Sequence, residues 1–259
     1  MFHKIRILAQ NSRLIKRLVR KTRKTLGCNE QISNIELVRK YAPNKSFADI
    51  GALWGINGLN SFIAEESGAT KIIAVDVYPA NKEFLDEQAR RNSKVQFFQG
   101  DINLLETSQK IGLCDVVLCS GVLYHTPDPV HLLASLRTIT RETLILNTAS
   151  VPEMPGFKNT AVFYPFLNKN QRKIWDRGIG SQKAITGPYE PENGYGNWFW
   201  GMSPSCIESM LGCVGFEVME RSITSFNSIF ICKAVSVKFT AESGEWNTPK
   251  EEGYVKLRR

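Results

Sequence analysis

From Ser46 onward the chain sets short, continuously apolar runs between longer stretches in which apolar and polar residues recur at helical spacing. The runs are "SFADIG", "KIIAVDV" (71–77), "VQFFQGD" (95–101), "DVVLCSGVL" (115–123) and "TLILNTA" (143–149). Runs without alternation suit strands covered on both faces, and their cadence with helical stretches is that of a parallel sheet. Two intervening stretches read as crossover helices. "NSFIAEESGA" has Phe62 and Ile63 with Gly68 placed as a stop, and "PDPVHLLASLRTI" puts Val130, Leu133 and Leu136 on one face.

After Ala149 the cadence breaks. Residues 150–200 are rich in Pro, Gly, Asn and aromatics, and they form an expected insertion between the fifth and sixth strands. The pattern resumes with "SPSCIESMLGCVGF", where Ser203 is a helix cap and Pro204 a first helical residue. "EVMERSIT" and "SIFICKAV" complete a doubly wound α/β sheet of seven mostly parallel strands. The expected division is a basic helical segment over 1–45, the α/β domain over 46–235 and a polar tail over 236–259. The aromatics of the insertion either line a pocket or form the small core of an irregular segment. Tyr195, Trp198 and Trp200 are the candidates for contact with a substrate.

Composition narrows the class only a little. The length of 259 residues allows one sizeable core, and 42% hydrophobic with 22% charged residues is an ordinary globular mix. Six cysteines without a C-x-x-C pair point to a reduced, cytoplasmic protein. No run approaches the roughly 20 apolar residues of a membrane span, and Lys and Arg interrupt the N-terminus too often for a secretory core. The net charge of +8 is concentrated, since nine Lys and Arg precede the first acid, Glu30, and the remainder is about neutral. In "IRILAQNSRLIKRLVRK", Ile5, Leu8, Leu14, Ile15, Leu18 and Val19 share one half of a helical wheel, with the cations on the other. Such a helix suits an anionic membrane surface, at the inner face of a membrane for a cytoplasmic protein. It equally suits packing on its own domain, with the basic face meeting an anionic partner or only solvent.

The chemistry concentrates at strand ends. "FADIGALWGINGLN" (47–60) places Asp49, Gly51, Gly55 and Gly58 between the first strand and a helix, where a ligand can approach the backbone closely. The dinucleotide fingerprint G-x-G-x-x-G does not fit, because Leu53 stands at its second glycine and would put a Cβ against a pyrophosphate. Asp76 ends "IIAVD", where an acid receives two ribose hydroxyls, a placement that a nicotinamide enzyme shares. Asp101 follows "FFQG" at the next strand end, with apolar Ile102 beside it. Taken alone, Asp49 also reads as a cap of the turn.

"ADIGALWG" resembles the first motif of class I S-adenosylmethionine-dependent methyltransferases in its looser D-x-G-x-x-x-G form, and the trio Asp49, Asp76 and Asp101 is similar to their successive motifs. The resemblance covers roughly residues 46–149, with a weaker echo over 201–235. It implies a Rossmann-like fold and S-adenosylmethionine as cofactor. Asp49, with Gly51 and Gly55 in its loop, would help to hold the ammonium directly or through water; Asp76 would hold the ribose, and Asp101 and Ile102 the adenine.

"LCSGVLYHTPDPVHLL" (118–133) resembles the segment after strand four in a subgroup that includes the tRNA wobble-uridine carboxymethyltransferase. That resemblance implies that Ser120 and Tyr124 border the sulfonium. The subgroup member has a longer N-terminal region, and its carboxylate-binding cations find no counterpart that the sequence places, so the ordinary cofactor is the simpler expectation. His125 is the candidate general base, with a brace of the following turn as its alternative role; His131 reads as structural or exposed. Methyl transfer from a sulfonium is an in-line displacement that alignment accelerates, so a base is not required. The expected reaction moves a methyl group to an oxygen or nitrogen nucleophile of a small molecule or saccharide, and no metal is expected. The rivals are tRNA modification, which would recruit the basic segment to phosphate, and a non-catalytic S-adenosylmethionine-binding module.

Overall fold

A computed structural model describes residues 32–172, 189–224 and 226–236. Five parallel strands, β1 (Ser46–Ile50), β2 (Lys71–Asp76), β3 (Gln96–Gln99), β4 (Cys114–Ser120) and β5 (Thr140–Ala149), are joined through helices. β6 (Ala161–Phe163), within the predicted insertion, and β7 (Trp200–Met202), at its end, pair as a separate antiparallel ribbon. β8 (Phe216–Ile223) and β9 (Asn227–Ala234) complete the main sheet in the order β3-β2-β1-β4-β5-β9-β8, with β9 antiparallel to both neighbours. The seven-stranded, mostly parallel sheet is the architecture that the sequence predicts.

The central strands form because their side chains are buried on both faces. In β1 only Ser46 is more than marginally accessible, and in β2 only Lys71. A single cluster of buried residues, including Ile50, Val75, Val117, Leu133, Leu146 and Phe230, joins the sheet to its helices. β3, at the edge of the sheet, is half-exposed.

Five of the helices have starts that the sequence explains. α1 (Asn34–Tyr41) is opened by a capping box between Ser33 and Glu36, and α3 (Lys82–Arg91) by the Asn81 side chain on Phe84 N. α5 (Pro129–Ile139) has Asp128 as its cap and α6 (Pro204–Cys213) has Ser203, each followed by proline at the first helical position. α2 (Leu59–Glu66) begins after Gly58, whose φ is +80°; an added Cβ there would lie 2.4 Å from the Phe84 ring. Gly68, with φ +86°, follows the end of α2 as predicted. α4 (Leu105–Ile111) lies between β3 and β4.

Among the described residues no helix is long and apolar enough to cross a membrane. The basic segment before Ile32 and the tail beyond Ser236 lie outside the described residues.

Candidate functional site

The carboxyl ends of β1, β2, β3 and β4 open into one cavity of about 610 Å³, within the range of pockets that enclose a cofactor-sized ligand. Parallel strands direct their ends to one edge of the sheet, and the strand order reverses direction between β1 and β4, where such folds bind ligands.

The turn after β1 is shaped by backbone constraint. Gly51 N donates to Val75 O at 2.9 Å and Gly58 N to Ala52 O at 2.7 Å, which closes the loop against β2. Gly51 lines the cavity with φ +82°, and a Cβ there would fall 2.4 Å from Val122 Cγ2. Gly55, with φ +71°, has open space around its Cβ position and does not line the cavity. Its part is the turn itself.

The three acids occupy different environments. Asp76 lines the cavity with its carboxylate fixed by two backbone donors, Leu53 N at 2.9 Å and Tyr78 N at 3.0 Å. Each oxygen keeps a lone pair for a ligand hydroxyl. Asp101 lines the next stretch with Ile102, and its Oδ1 accepts from Asn103 N at 2.9 Å. Asp49 is fully buried behind this wall and does not line the cavity. Ser61 Oγ donates to its Oδ2 at 2.8 Å, while Oδ1 has no hydrogen-bond partner among the described residues. Burial pushes the Asp49 carboxyl up to about 7; the Ser61 bond opposes the rise and the Asp76 charge adds to it. The structure therefore brings Asp76, Asp101 and Ile102 to the cavity and leaves Asp49 beneath it, without direct access.

The exit of β4 supplies the opposite wall. Ser120 and Tyr124 both line the cavity, and Tyr124 packs between His125 and Trp198 with ring centroids 4.2 Å from each. Burial pushes the Tyr124 hydroxyl up to about 12, so it stays protonated. His125 lines the cavity too, and its Nδ1 lies 2.7 Å from the Asn197 carbonyl oxygen. A carbonyl only accepts, so Nδ1 carries the proton and Nε2 of the neutral ring keeps its lone pair. Burial lowers the His125 pKa, against the opposing effect of the Asn197 bond, so the ring is neutral at pH 7. The brace and the free base nitrogen are thus two ends of one ring. His131 Nε2 lies 2.9 Å from Asn103 O, tying α5 to the loop after β3.

The insertion folds over this wall. Phe199 N donates to Tyr124 O and Tyr164 N to Phe199 O, each at 2.9 Å. Trp198 is buried, lines the cavity and packs with Tyr164 and Ala149 in a small core. The pocket and small-core readings therefore hold together at that residue. Trp200 does not line the cavity; its Nε1 donates to Pro127 O at 2.9 Å and its ring packs on Phe163. The structure thus does not bring Trp200 to the cavity with Trp198; its indole braces the β4 exit. The backbone of Tyr195 lies in a 3-10 turn over Pro191–Gly196, and its side chain lies outside the described atoms.

Several lining residues carry no sequence signal strong enough to single them out. Tyr78 and Asn103 follow Asp76 and Asp101 by two positions, a spacing that points to them once the acids are found. Trp54 stands inside the glycine loop, exposed at the cavity rim. Asn34 comes from α1, before any motif, and only tertiary contact brings it here.

Strand order, glycine turn and strand-end acids define a cofactor-binding enzyme of the Rossmann-like class. The sequence model of the FtsJ-like methyltransferases matches residues 20–154, just over half of the chain, and the chain belongs to that family. It is an S-adenosylmethionine-dependent methyltransferase. No curated protein sequence matches it significantly. The fold is that of the N-terminal domain of EvdMO1, a structure with S-adenosylhomocysteine bound, at TM-score 0.54 and 15% identity over 79% of this chain and 82% of that one. It is similar to the 1,6-didemethyltoxoflavin-N1-methyltransferase of Burkholderia thailandensis, at TM-score 0.52 and 14% identity over 78% and 79%. An O-methyltransferase family protein from the same organism matches at TM-score 0.53 and 11% identity over 78% of this chain and 55% of that one.

Proposed function

We propose that this enzyme transfers the methyl group of S-adenosylmethionine to an oxygen or nitrogen nucleophile of a small molecule or saccharide. The observation that carries the reading is a cavity that brings Asp76 and Asp101 together with His125, Tyr124 and Trp198. Asp76 takes the ribose hydroxyls, and Asp101 with Ile102 takes the adenine. Asp49 acts on the ammonium through water or through the loop. Gly51 lets the amino-acid end approach, Gly55 keeps the turn, and Ser120 and Tyr124 border the sulfonium. His125 Nε2 receives the proton of the nucleophile, while alignment in the cavity supplies the rest of the acceleration.

Among the described residues the insertion contributes Trp198 and Gly196 to the cavity, a cover that suits a compact acceptor. The EvdMO1 domain was crystallised in the presence of S-adenosylhomocysteine and D-fucose, and the 1,6-didemethyltoxoflavin-N1-methyltransferase with bound 1,6-didemethyltoxoflavin and S-adenosylhomocysteine. Both support a small acceptor. The deciding experiment measures S-adenosylhomocysteine formation by the full chain against monosaccharides, nucleotide-linked sugars, small heteroaromatics and a tRNA pool. Turnover with tRNA alone would replace this reading with the carboxymethyltransferase-like one, and cofactor binding without turnover on any pool would leave a binding module.

The basic N-terminal segment is assigned to reversible contact with anionic lipid at the inner membrane surface, because its apolar half is fuller than phosphate binding alone needs. Sedimentation with anionic vesicles, comparing the full chain with one that begins at Leu26, tests this. If both stay in the supernatant at low salt and the full chain alone shifts tRNA on a gel, nucleic acid is the partner instead.

A further inference from the structure

Four part-buried polar side chains from four separate elements form one line that ends at the cavity. Asn227 Nδ2, at the start of β9, donates to Asn147 Oδ1 on β5 at 2.9 Å. Asn147 Nδ2 donates to Asn34 Oδ1 on α1 at 2.8 Å, and Asn34 Nδ2 donates to Ser120 Oγ at the end of β4 at 3.0 Å. Every link points the same way. The backbone repeats the junction, since Gly121 N donates to Asn147 O at 2.9 Å.

The polarity has a consequence for Ser120. A hydroxyl has one proton and two acceptor sites; here one acceptor site is occupied by Asn34, so the proton remains available. Asn34 and Ser120 both line the cavity. In a line of hydrogen bonds each donation polarises the next, which favours the retained orientation.

We propose that Asn34 is a positioning residue, holding Ser120 so that its hydroxyl donates to the carboxylate at the amino-acid end of the cofactor. This rests on the reading that the cavity binds S-adenosylmethionine. The location follows from the other subsites. Asp76 and Asp101 fix the ribose and base toward β2 and β3, so the amino-acid end lies toward β1 and β4. There the Cβ position of Gly51 is 3.1 Å from Ser120 O. No Lys or Arg lines the cavity among the described residues, so neutral donors suit that carboxylate.

Calorimetry on the full chain with two probes, S-adenosylhomocysteine and adenosine, tests the proposal; adenosine lacks the amino-acid end. Ser120→Ala and Asn34→Asp are each expected to weaken S-adenosylhomocysteine about tenfold, the loss of one hydrogen bond to a charged group, and to leave adenosine unchanged. An Asp at position 34 only accepts, so it draws the Ser120 proton away from the ligand. The double variant is expected to be no weaker than either single one, because both remove the same bond. Ser120→Thr, which keeps the hydroxyl, restores affinity. Asn34→Ala, expected to lose affinity for S-adenosylhomocysteine and not for adenosine, replaces Asn34→Asp if that variant does not fold. Full affinity in Ser120→Ala, or equal losses for both probes, overturns the proposal. If the wild-type chain binds neither probe, the cofactor reading itself falls.

Discussion

The two sides of the cavity are held together differently. On the proposed cofactor side, Asp76 ends the buried strand β2 and is oriented by backbone donors from its own turn and from the turn after β1. On the acceptor side, the roof is a long excursion between β5 and α6, tied to the β4 exit by Phe199 N on Tyr124 O, His125 on the Asn197 carbonyl and Trp200 on Pro127. The first arrangement is repetitive and local. The second depends on single contacts between segments more than 70 residues apart. A methyltransferase needs both: its cofactor is constant, whereas its acceptor is chosen by whatever covers the mouth.

If the two sides are separable, damage to one leaves the other's readout intact. The largest effect is expected at their junction. His125→Ala should lower turnover by about 100-fold or more while S-adenosylhomocysteine binds within about twofold of wild type. Because burial lowers the His125 pKa, the wild-type kcat/KM should rise with pH and level off below the usual histidine midpoint, and the variant should lack that rise. Rate profiles from pH 5 to 8 check both, and unchanged turnover in a folded variant would leave His125 only as a brace.

On the cofactor side alone, Asp76→Ala should weaken S-adenosylhomocysteine by roughly 10- to 100-fold. Leu53 N and Tyr78 N also lose their acceptor, so the loop loosens with the loss of the ribose contact. Calorimetry measures it, and the ratio of rates between two acceptors should not move.

Asp49→Asn separates stability from function on the same side. The folded pKa of Asp49 lies near 7, above the ordinary carboxyl value, so folding takes up a proton at intermediate pH. The stability that this carboxyl leaves intact below about pH 4 is lost as pH rises through 7. The variant cannot ionise. It should come close to wild type at pH 4 and below, pull ahead as pH rises from 4 to 7, and exceed wild type by up to a few kcal/mol at pH 8, while binding the cofactor more weakly. Melting curves across that range, with and without S-adenosylhomocysteine, give both signs; equal melting at pH 8 would mean the carboxyl is not held neutral.

The smallest effect is on the roof. Trp200→Phe removes the bond to Pro127 O and should cost about 1 kcal/mol of stability with little change in cofactor affinity. Trp198→Ala, by contrast, should raise the acceptor KM and leave S-adenosylhomocysteine affinity unchanged. Equal effects of the two substitutions on acceptor KM would mean that the roof acts as one body.

The layered architecture, the turn and the strand-end acids were legible in the chain. Continuous apolar runs can be buried only between two layers of helices, and parallel strands must present their ends at one edge, so spacing alone put Asp76, Asp101 and Ile102 together. Ser120 and Tyr124 were legible only through the resemblance of the segment after β4, and His125 as a histidine leaving that strand end; all three line the cavity because β4 ends beside β1. Packing between distant elements set the rest. Asp49 has the motif's residue type but lies beneath the wall, because the inward or outward facing of a strand residue depends on the register of its neighbours. Trp198 and Trp200 look alike in "NWFWGM", yet one faces the cavity and the other the ribbon, a difference set by how β6 pairs with β7. Asn34 and Asn147 have no local pattern at all. Their meeting at Ser120 exists only when α1, β4, β5 and β9 are packed, since hydrogen bonds between distant elements leave no period in the chain.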